Sequence, residues 1–334
     1  MTAGHSSSPT PADCRELRHN HEPDEVPSER CPGAPPVTQE FAGVYPAPPT
    51  PVSDDGKLLE AALRALLDDN IRHGADGFWM AGTTGEGPIL TDEQRSAVAR
   101  ISAETCRGRA RVIMHVGAMS TASAVKAARD ARLAGCDAIC CLPPLFFPST
   151  DRSRIDHYKA VADAAGDLPF FVYNLPQLTQ VETVPAMMEK FVRAIPTLRG
   201  LKHSAPNFAD IRVFADMGLA CFSGNGAFPL PALAMGAVGT IDAPLSIAPW
   251  HYAELYRAWK AGNTARAQAL QDTVRRFVDL VWMFNAPPDA CKVVLGARLG
   301  MDCGRSIPPV ARLTNAERAD IVRAAEALGV TTRG

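Results

Sequence analysis

Lysine is scarce in this 334-residue chain, seven against 27 arginines, so a lysine in an apolar setting stands out. Lys202 is one. It lies in the run Leu198-Arg199-Gly200-Leu201-Lys202-His203-Ser204, which reads as a β-strand. Alternation puts Gly200, Lys202 and Ser204 on one face and Leu201 and His203 on the other. An amine facing an apolar interior is disfavoured as a cation. A neutral amine is a nucleophile that can form a Schiff base with a ketone. A buried, paired lysine, or one snorkelling to the surface, is the alternative reading. His203, on the opposite face, reads as a core histidine. Lys292, in Ala290-Cys291-Lys292-Val293, falls in a helical pattern and is expected to be solvated or snorkelling.

Two other stretches carry chemistry. Gly82-Thr83-Thr84-Gly85-Glu86 offers two hydroxyls and freed backbone N–H groups between glycines, a cradle for a carboxylate or phosphate. An ordinary Gly/Thr turn is the alternative. Tyr173-Asn174-Leu175-Pro176 puts a phenol where it can move a proton, unless it is simply packed. No metal is expected. The nine cysteines, at 14, 31, 106, 136, 140, 141, 221, 291 and 303, form no CxxC pair and no zinc-finger spacing. Adjacent Cys140 and Cys141 read as small buried hydrophobes. His5, His19, His21 and Cys14 match no ligand spacing.

The elements that must position these groups follow a regular alternation from residue 41. Eight short apolar runs are predicted as strands: Phe41–Ala47, Gly77–Thr83, Arg111–Gly117, Ala138–Pro144, Phe170–Pro176, Leu198–Ser204, Ala220–Gly226 and Val238–Pro244. Helical patterns separate them, among them Lys57–His73, Thr91–Arg107 with a Thr91/Gln94 capping box, and Asn207–Met217 ending at Gly218. Eight near-continuously apolar strands, each followed by a helix, predict an α/β fold, a TIM (β/α)8 barrel over residues 41–262. A doubly wound open sheet is disfavoured, since no GxGxxG turn occurs. Three more helical patterns, Thr264–Phe284, Asp289–Leu299 and Thr314–Leu328, predict a C-terminal helical extension over 263–334. Residues 1–40 hold seven of the 28 prolines and few large apolar side chains, and are expected to be a disordered arm. In such a barrel, reactive groups sit at the C-terminal ends of strands. The three stretches above end strands two, five and six.

Bulk properties narrow the class. Acids number 36 and Lys+Arg 34, a net charge of −2, which excludes nucleic-acid binding by bulk electrostatics. The best membrane candidate, Leu230 to Trp250, is broken by Asp242 and prolines. The first 30 residues carry no apolar h-region. An odd cysteine number without a framework fits a reduced, cytoplasmic setting.

Together, GTTGE at 82–86, YNLP at 173–176 and GLK at 200–202, in that order on strand ends, resemble the family of dihydrodipicolinate synthase and N-acetylneuraminate lyase. These are Schiff-base-forming class I aldolases on a TIM barrel. The resemblance spans roughly residues 41–330. It implies that Lys202 forms an imine with the C2 ketone of pyruvate or another 2-oxo acid, and that Tyr173 shuttles protons with Thr83. It also implies that Thr83 and Thr84, with Gly82, hold the substrate carboxylate, and that a backbone carbonyl near Ile241 lines the site. Ser204, Gly224 and Asn225 join the substrate-binding candidates. No cofactor is implied. Partners would be the 2-oxo acid, an aldehyde and copies of the chain itself, as a tetramer or dimer, with the strand-four loop reaching the neighbouring subunit.

Departures shape the expected activity. Family members carry a tyrosine in the loop after strand four; this loop reads Pro143-Pro144-Leu145-Phe146-Phe147-Pro148, with Phe146 at the matching place. Dihydrodipicolinate synthases carry an arginine after YNxP; here the position is Leu178, against a role in lysine biosynthesis. The stretch 144–181 looks closer to the sialic acid lyase branch. Yet the acids which that branch uses after strand seven are absent from Ser223-Gly224-Asn225-Gly226-Ala227-Phe228, and its strand-eight serine is Ala243. A polyol site would offer a polar partner for each buried hydroxyl. This one offers mainly Leu145, Phe146, Leu178, Ala227 and Ala243, with Asn225, Ser204 and Asp242 as polar exceptions. The expected activity is a metal-independent lyase that cleaves a 2-oxo acid to pyruvate and an aldehyde, or condenses them, the aldehyde being smaller or less hydroxylated than a sugar. A hydro-lyase acting on a 2-oxo-3-deoxy sugar acid, and a degenerate 2-oxo acid binding protein, are the alternatives.

Overall fold

A computed structural model describes residues 40–332. The disordered-arm expectation for residues 1–40, apart from Glu40, which pairs with Arg111 at 3.2 Å, and the His5, His19, His21 and Cys14 group fall outside the described residues. Eight parallel strands are present: β1 Gly43–Pro46, β2 Gly77–Met80, β3 Arg111–His115, β4 Ala138–Cys141, β5 Phe170–Asn174, β6 Leu198–His203, β7 Ala220–Ser223 and β8 Gly239–Asp242. β1 pairs with β8, and the ladder runs back through β7 to β2. The remaining seam, between β1 and β2, is bridged by Asp76. Its N–H donates to the Val44 carbonyl at 2.9 Å, and its carboxylate accepts the Val44 N–H at 2.8 Å. The result is a TIM barrel. Each strand starts where the apolar runs predict, or within two residues, and stops short of the predicted end. The residues left over form the turns at the barrel mouth.

The helices are α1 Glu60–Arg72, α2 Asp92–Cys106, α3 Thr121–Ala134, α4 Asp151–Ala165, α5 Pro176–Thr179, α6 Pro185–Ala194, α7 Asp210–Asp216, α8 Pro229–Ala234, α9 Pro244–Ile247, α10 Pro249–Lys260, α11 Thr264–Trp282, α12 Pro287–Leu299 and α13 Asn315–Ala327. The α2 capping box forms as expected: Thr91 accepts from the Gln94 N–H, and the Gln94 side chain accepts from the Thr91 N–H. Short α5 and α9, at the ends of β5 and β8, escape the sequence pattern because four residues carry no period. Each opens on a proline, whose fixed φ suits a first helical position.

Two apolar layers hold the barrel. The inner one contains Tyr45, Trp79, Ile113, Cys140, Phe171, Tyr173, Phe222 and Ile241. The outer one lies between strands and helices and extends to α11, α12 and α13. Rings fill the inside: Phe171 lies 5.2 Å from Phe41 and 6.3 Å from Phe222, centroid to centroid. Burying each such side chain contributes roughly 1.5–3 kcal/mol. Gly77 is where the strand must make room, since a Cβ there would lie 2.2 Å from the Tyr45 ring. Among the described residues no helix is long and apolar enough to cross a membrane.

Candidate active site

Lys202 occupies β6 between Tyr173 of β5 and Phe222 of β7, in direct register with both. The alternation read from sequence holds. Lys202 is directed inward and is only 4 % exposed, with its Nζ 4.6 Å from the Tyr173 ring centroid and 5.7 Å from that of Trp79. It forms no hydrogen bond or ion pair with another described residue, so its amine is held by aromatic faces rather than by a carboxylate. His203 is turned outward and satisfied: Nδ1 meets Asn174 at 3.2 Å and Nε2 meets the Asn207 carbonyl at 2.9 Å. Asn174 also exchanges hydrogen bonds with both backbone groups of Thr183, which ties down the segment after β5.

The Tyr173 hydroxyl lies 3.3 Å from Thr83 Oγ1. This contact joins strand end five to the turn after strand two, so residues 90 positions apart share one site. Thr83 faces the mouth and Thr84 is half-buried. Neither backbone N–H donates to another described residue, which leaves two donors beside two hydroxyls, a set suited to a carboxylate. Glu86, in left-handed conformation at φ 56°, anchors the turn. Its Oε2 is 2.5 Å from Lys292 Nζ, and its Oε1 accepts the Ile307 N–H at 2.6 Å.

Lys292 therefore corrects an expectation. It is neither solvated nor snorkelling but fully buried, and it also donates to the Arg305 carbonyl at 2.8 Å. Sequence placed it on a helix correctly. Its partner lies 206 residues away, beyond the reach of any local pattern.

His115, at the end of β3, joins the site although no motif marks it in the sequence. Its ring stands edge-on to Tyr173, centroids 5.9 Å apart. Its Nδ1–H donates to the Ala81 carbonyl at 3.0 Å, just ahead of the threonine turn. Burial, the neighbouring Arg95 guanidinium and Lys202 push it down to about 3, so it is a neutral spacer. Arg95 reaches in from α2 and donates to the carbonyls of His115 and Gly117. The thiol of Cys141 is pushed up to about 12 and that of Cys140 well above its ordinary value, both by burial, which fits inert core residues.

The loops after β6 and β7 border Lys202. A Cβ on Gly224 would lie 1.9 Å from Ser204 Oγ and 3.0 Å from Lys202 Cε, so only glycine leaves room for the lysine stem. Ser204 N–H donates to the Asn174 carbonyl at 2.9 Å, and Asn225 Oδ1 accepts the Ala227 N–H at 3.0 Å. Ile241 is fully buried in β8, opposite Tyr45. Asp242, the next residue, accepts from the Gly226 N–H at 2.7 Å and the Ala243 N–H at 2.8 Å. Burial raises its carboxyl above the ordinary carboxylate range, an effect the Lys202 charge opposes. Phe146 and Leu178 stand apart from this cluster on exposed segments, 83 % and 63 % accessible.

A family profile described as the Dihydrodipicolinate synthetase family matches residues 40–328. The chain is 31% identical over 247 residues to the N-acetylneuraminate lyase of Citrobacter koseri, covering 73% of this chain and 83% of that one. It is 32% identical over 249 residues to that of Escherichia coli K12, with the same coverage. Among solved structures, dihydrodipicolinate synthase from Aquifex aeolicus superposes with a TM-score of 0.81 at 26% identity, covering 88% of this chain and 100% of that one. Wild-type Ruminococcus gnavus sialic acid aldolase shares the fold, with a TM-score of 0.83 at 23% identity, covering 87% and 97%. The lysine at the Tyr173 ring, the double-threonine turn and these matches agree: the chain belongs to the dihydrodipicolinate synthetase family of Schiff-base-forming carbon–carbon lyases.

Proposed function

We propose that the protein cleaves a 2-oxo acid to pyruvate and an aldehyde, or condenses the two, with Lys202 as the imine-forming residue. One observation carries this reading: an unpaired, inward lysine amine lies against the ring of a tyrosine whose hydroxyl meets Thr83. A solved relative, YagE of Escherichia coli, 25% identical with a TM-score of 0.81, is described in complex with pyruvate.

The chemistry follows from the placement. Thr83, Thr84 and their backbone N–H groups, beside Gly82, hold the substrate carboxylate. Lys202 Nζ attacks C2, and loss of the carbonyl oxygen as water leaves an iminium. The iminium is an electron sink. In cleavage, the C4 hydroxyl gives its proton to the Tyr173–Thr83 pair, the C3–C4 electron pair moves into C2–C3, and the aldehyde departs. The enamine takes a proton at C3, and water then hydrolyses the iminium to pyruvate and the free amine. Condensation is the reverse. Phe146 passes no proton, so Tyr173 and Thr83 act with water. Ser204, Gly224, Asn225 and Ile241 border the space for the rest of the substrate.

Borohydride trapping with pyruvate, read by intact mass, tests the assignment. An adduct is expected on the wild-type protein and none on Lys202→Ala. Tyr173→Phe is expected to keep adduct formation and lose about 10²-fold or more in turnover, the usual worth of a positioned acid–base group. No wild-type adduct would overturn the enzyme reading. Loss of water from a 2-oxo-3-deoxy sugar acid, with its carbon chain intact, would assign a hydro-lyase instead. The reading also takes the protein to be a cytoplasmic homo-oligomer, a tetramer or dimer. The seven described cysteines, all free and buried, support a reducing compartment, and the exposed Phe146–Phe147 pair supports assembly.

A further inference from the structure

We infer that His115 is a positioning residue for the Tyr173–Thr83 pair: it pins the carbonyl of Ala81, which leads into the threonine turn, and stands edge-on against the Tyr173 ring, so that both hydroxyls are held from one point. The role rests on the reading of that pair as the proton shuttle and adds the group that sets its geometry. The Tyr173 hydroxyl and Thr83 Oγ1 are 3.3 Å apart, at the long end for two oxygens. They end β5 and β2, which are separated in the ladder by β4 and β3, so no strand pairing sets that distance. His115, at the end of β3, touches both sides.

Each contact of the ring serves this hold. Its Nδ1–H donates to the Ala81 carbonyl at 3.0 Å, two residues before Thr83. Ala81 keeps a left-handed backbone at φ 51°, which a residue with a side chain retains only where its surroundings enforce it. Gly87 closes the other side, since a Cβ there would clash with the Ala81 carbonyl oxygen. The imidazole plane stands 87° from that of Tyr173, centroids 5.9 Å apart, the edge-to-face arrangement that aromatic pairs favour. The ring is itself fixed. Arg95 donates to the His115 and Gly117 carbonyls at 3.2 and 3.1 Å, and a Cβ on Gly117 would lie 2.7 Å from Nε2, so only glycine leaves room. Because Nδ1 carries the proton, Nε2 is an acceptor, buried and without a hydrogen-bond partner among the described residues. An apolar side chain would be spared that desolvation penalty. What it would lose is the hold on Ala81. A misplacement of about 1 Å between reacting groups can cost about 10²-fold in rate, so a relaxed Ala81 peptide slows turnover without removing any group that touches substrate.

Exchange of the pyruvate methyl protons in D₂O, catalysed by the full-length protein and followed by proton magnetic resonance, tests this. In the Lys202 iminium the Tyr173–Thr83 pair takes a C3 proton, the C–H electrons move into C2–C3, the C2–N π pair moves onto nitrogen, and the enamine then takes a deuteron back at C3. His115→Leu is expected to slow exchange about tenfold or more at saturating pyruvate, mainly in kcat. His115→Asn, whose amide N–H₂ stands where Nδ1–H does, is expected to recover most of the loss. On a Tyr173→Phe background His115→Leu is expected to cost less than about twofold, because the pair it positions is already gone. Gly117→Ala, which pushes on Nε2 without touching the pair, is expected to act in the same direction as His115→Leu and gives the same comparison should that variant not fold. Losses that add in full on the Tyr173→Phe background, exchange indifferent to His115→Leu, or an asparagine no better than leucine would overturn the role. The pyruvate adduct, trapped on each variant, reports whether the Lys202 chemistry still stands. Absence of an adduct on the wild-type protein would remove both.

Discussion

Single side chains do their work here through what they lack as much as what they touch. Lys202 has aromatic neighbours and no ion pair with an acid among the described residues, and His115 has a carbonyl on one nitrogen and nothing on the other. The histidine makes a testable claim about pH. Its folded value, about 3, lies below the ordinary 6.5, because burial disfavours the cation and Arg95 and Lys202 repel it. The unfolded chain therefore binds a proton there that the folded protein refuses. The stability tied to the neutral ring is complete above about pH 6.5 and is lost as pH falls toward 3. His157, His203 and His251 are shifted in the same direction by burial, so their contributions add. His115 alone is expected to cost about 2–3 kcal/mol by pH 4.5. Thermal melts between pH 7 and pH 4.5 should show the decline, with a smaller one in His115→Gln, whose amide can still donate to Ala81. Identical slopes in the two proteins would refute this.

The groups proposed as catalytic are assembled by elements that the sequence shows only in part. Strand ends two, five and six were legible because near-continuous apolar runs end in polar residues, and alternation alone set Lys202 and His203 on opposite faces, without saying which of them is inward. Two features were not legible. The role of Asn174 in holding the post-β5 segment, and the Glu86–Lys292 pair that fastens the threonine turn to α12, both depend on partners brought together only by closing the barrel. The pair ties the C-terminal helices to the turn proposed as the carboxylate cradle, since Glu86 also receives the Ile307 N–H and stands two residues from Thr84. Removing one member leaves a buried charge unpaired, at a cost of about 3–5 kcal/mol. Lys292→Met is therefore expected to lower the melting temperature and raise KM for the 2-oxo acid several-fold, with adduct formation recovered at saturation. Glu86→Gln combined with Lys292→Met should be less destabilised than Lys292→Met alone. A melting shift with KM unchanged would reduce the pair to a structural role.

At the scale of the molecule, the eight-fold alternation was readable because each strand is covered on both faces and so shows a near-continuous apolar run. Surfaces carry no such period, and assembly must be argued from exposure. Phe146 and Phe147 lie on the loop after β4, 83 % and 69 % exposed, their rings edge-to-face at 5.0 Å. Phe146 holds a left-handed backbone at φ 71°, which a bulky residue adopts only at a cost of about 1–3 kcal/mol. A strained loop that presents two large rings to water gains from a partner that covers them, and the chain's net charge of −2 offers little long-range repulsion against self-association. Light scattering coupled to size exclusion is expected to give a multiple of the 35.7 kDa chain mass. Phe146→Asp with Phe147→Asp should shift the population toward a smaller species. Both side chains lie outside the inner core, so the monomer's far-ultraviolet dichroism should be unchanged. A wild-type protein monomeric at micromolar concentration, or an assembly indifferent to both substitutions, would mean that the pair serves another purpose than contact between subunits.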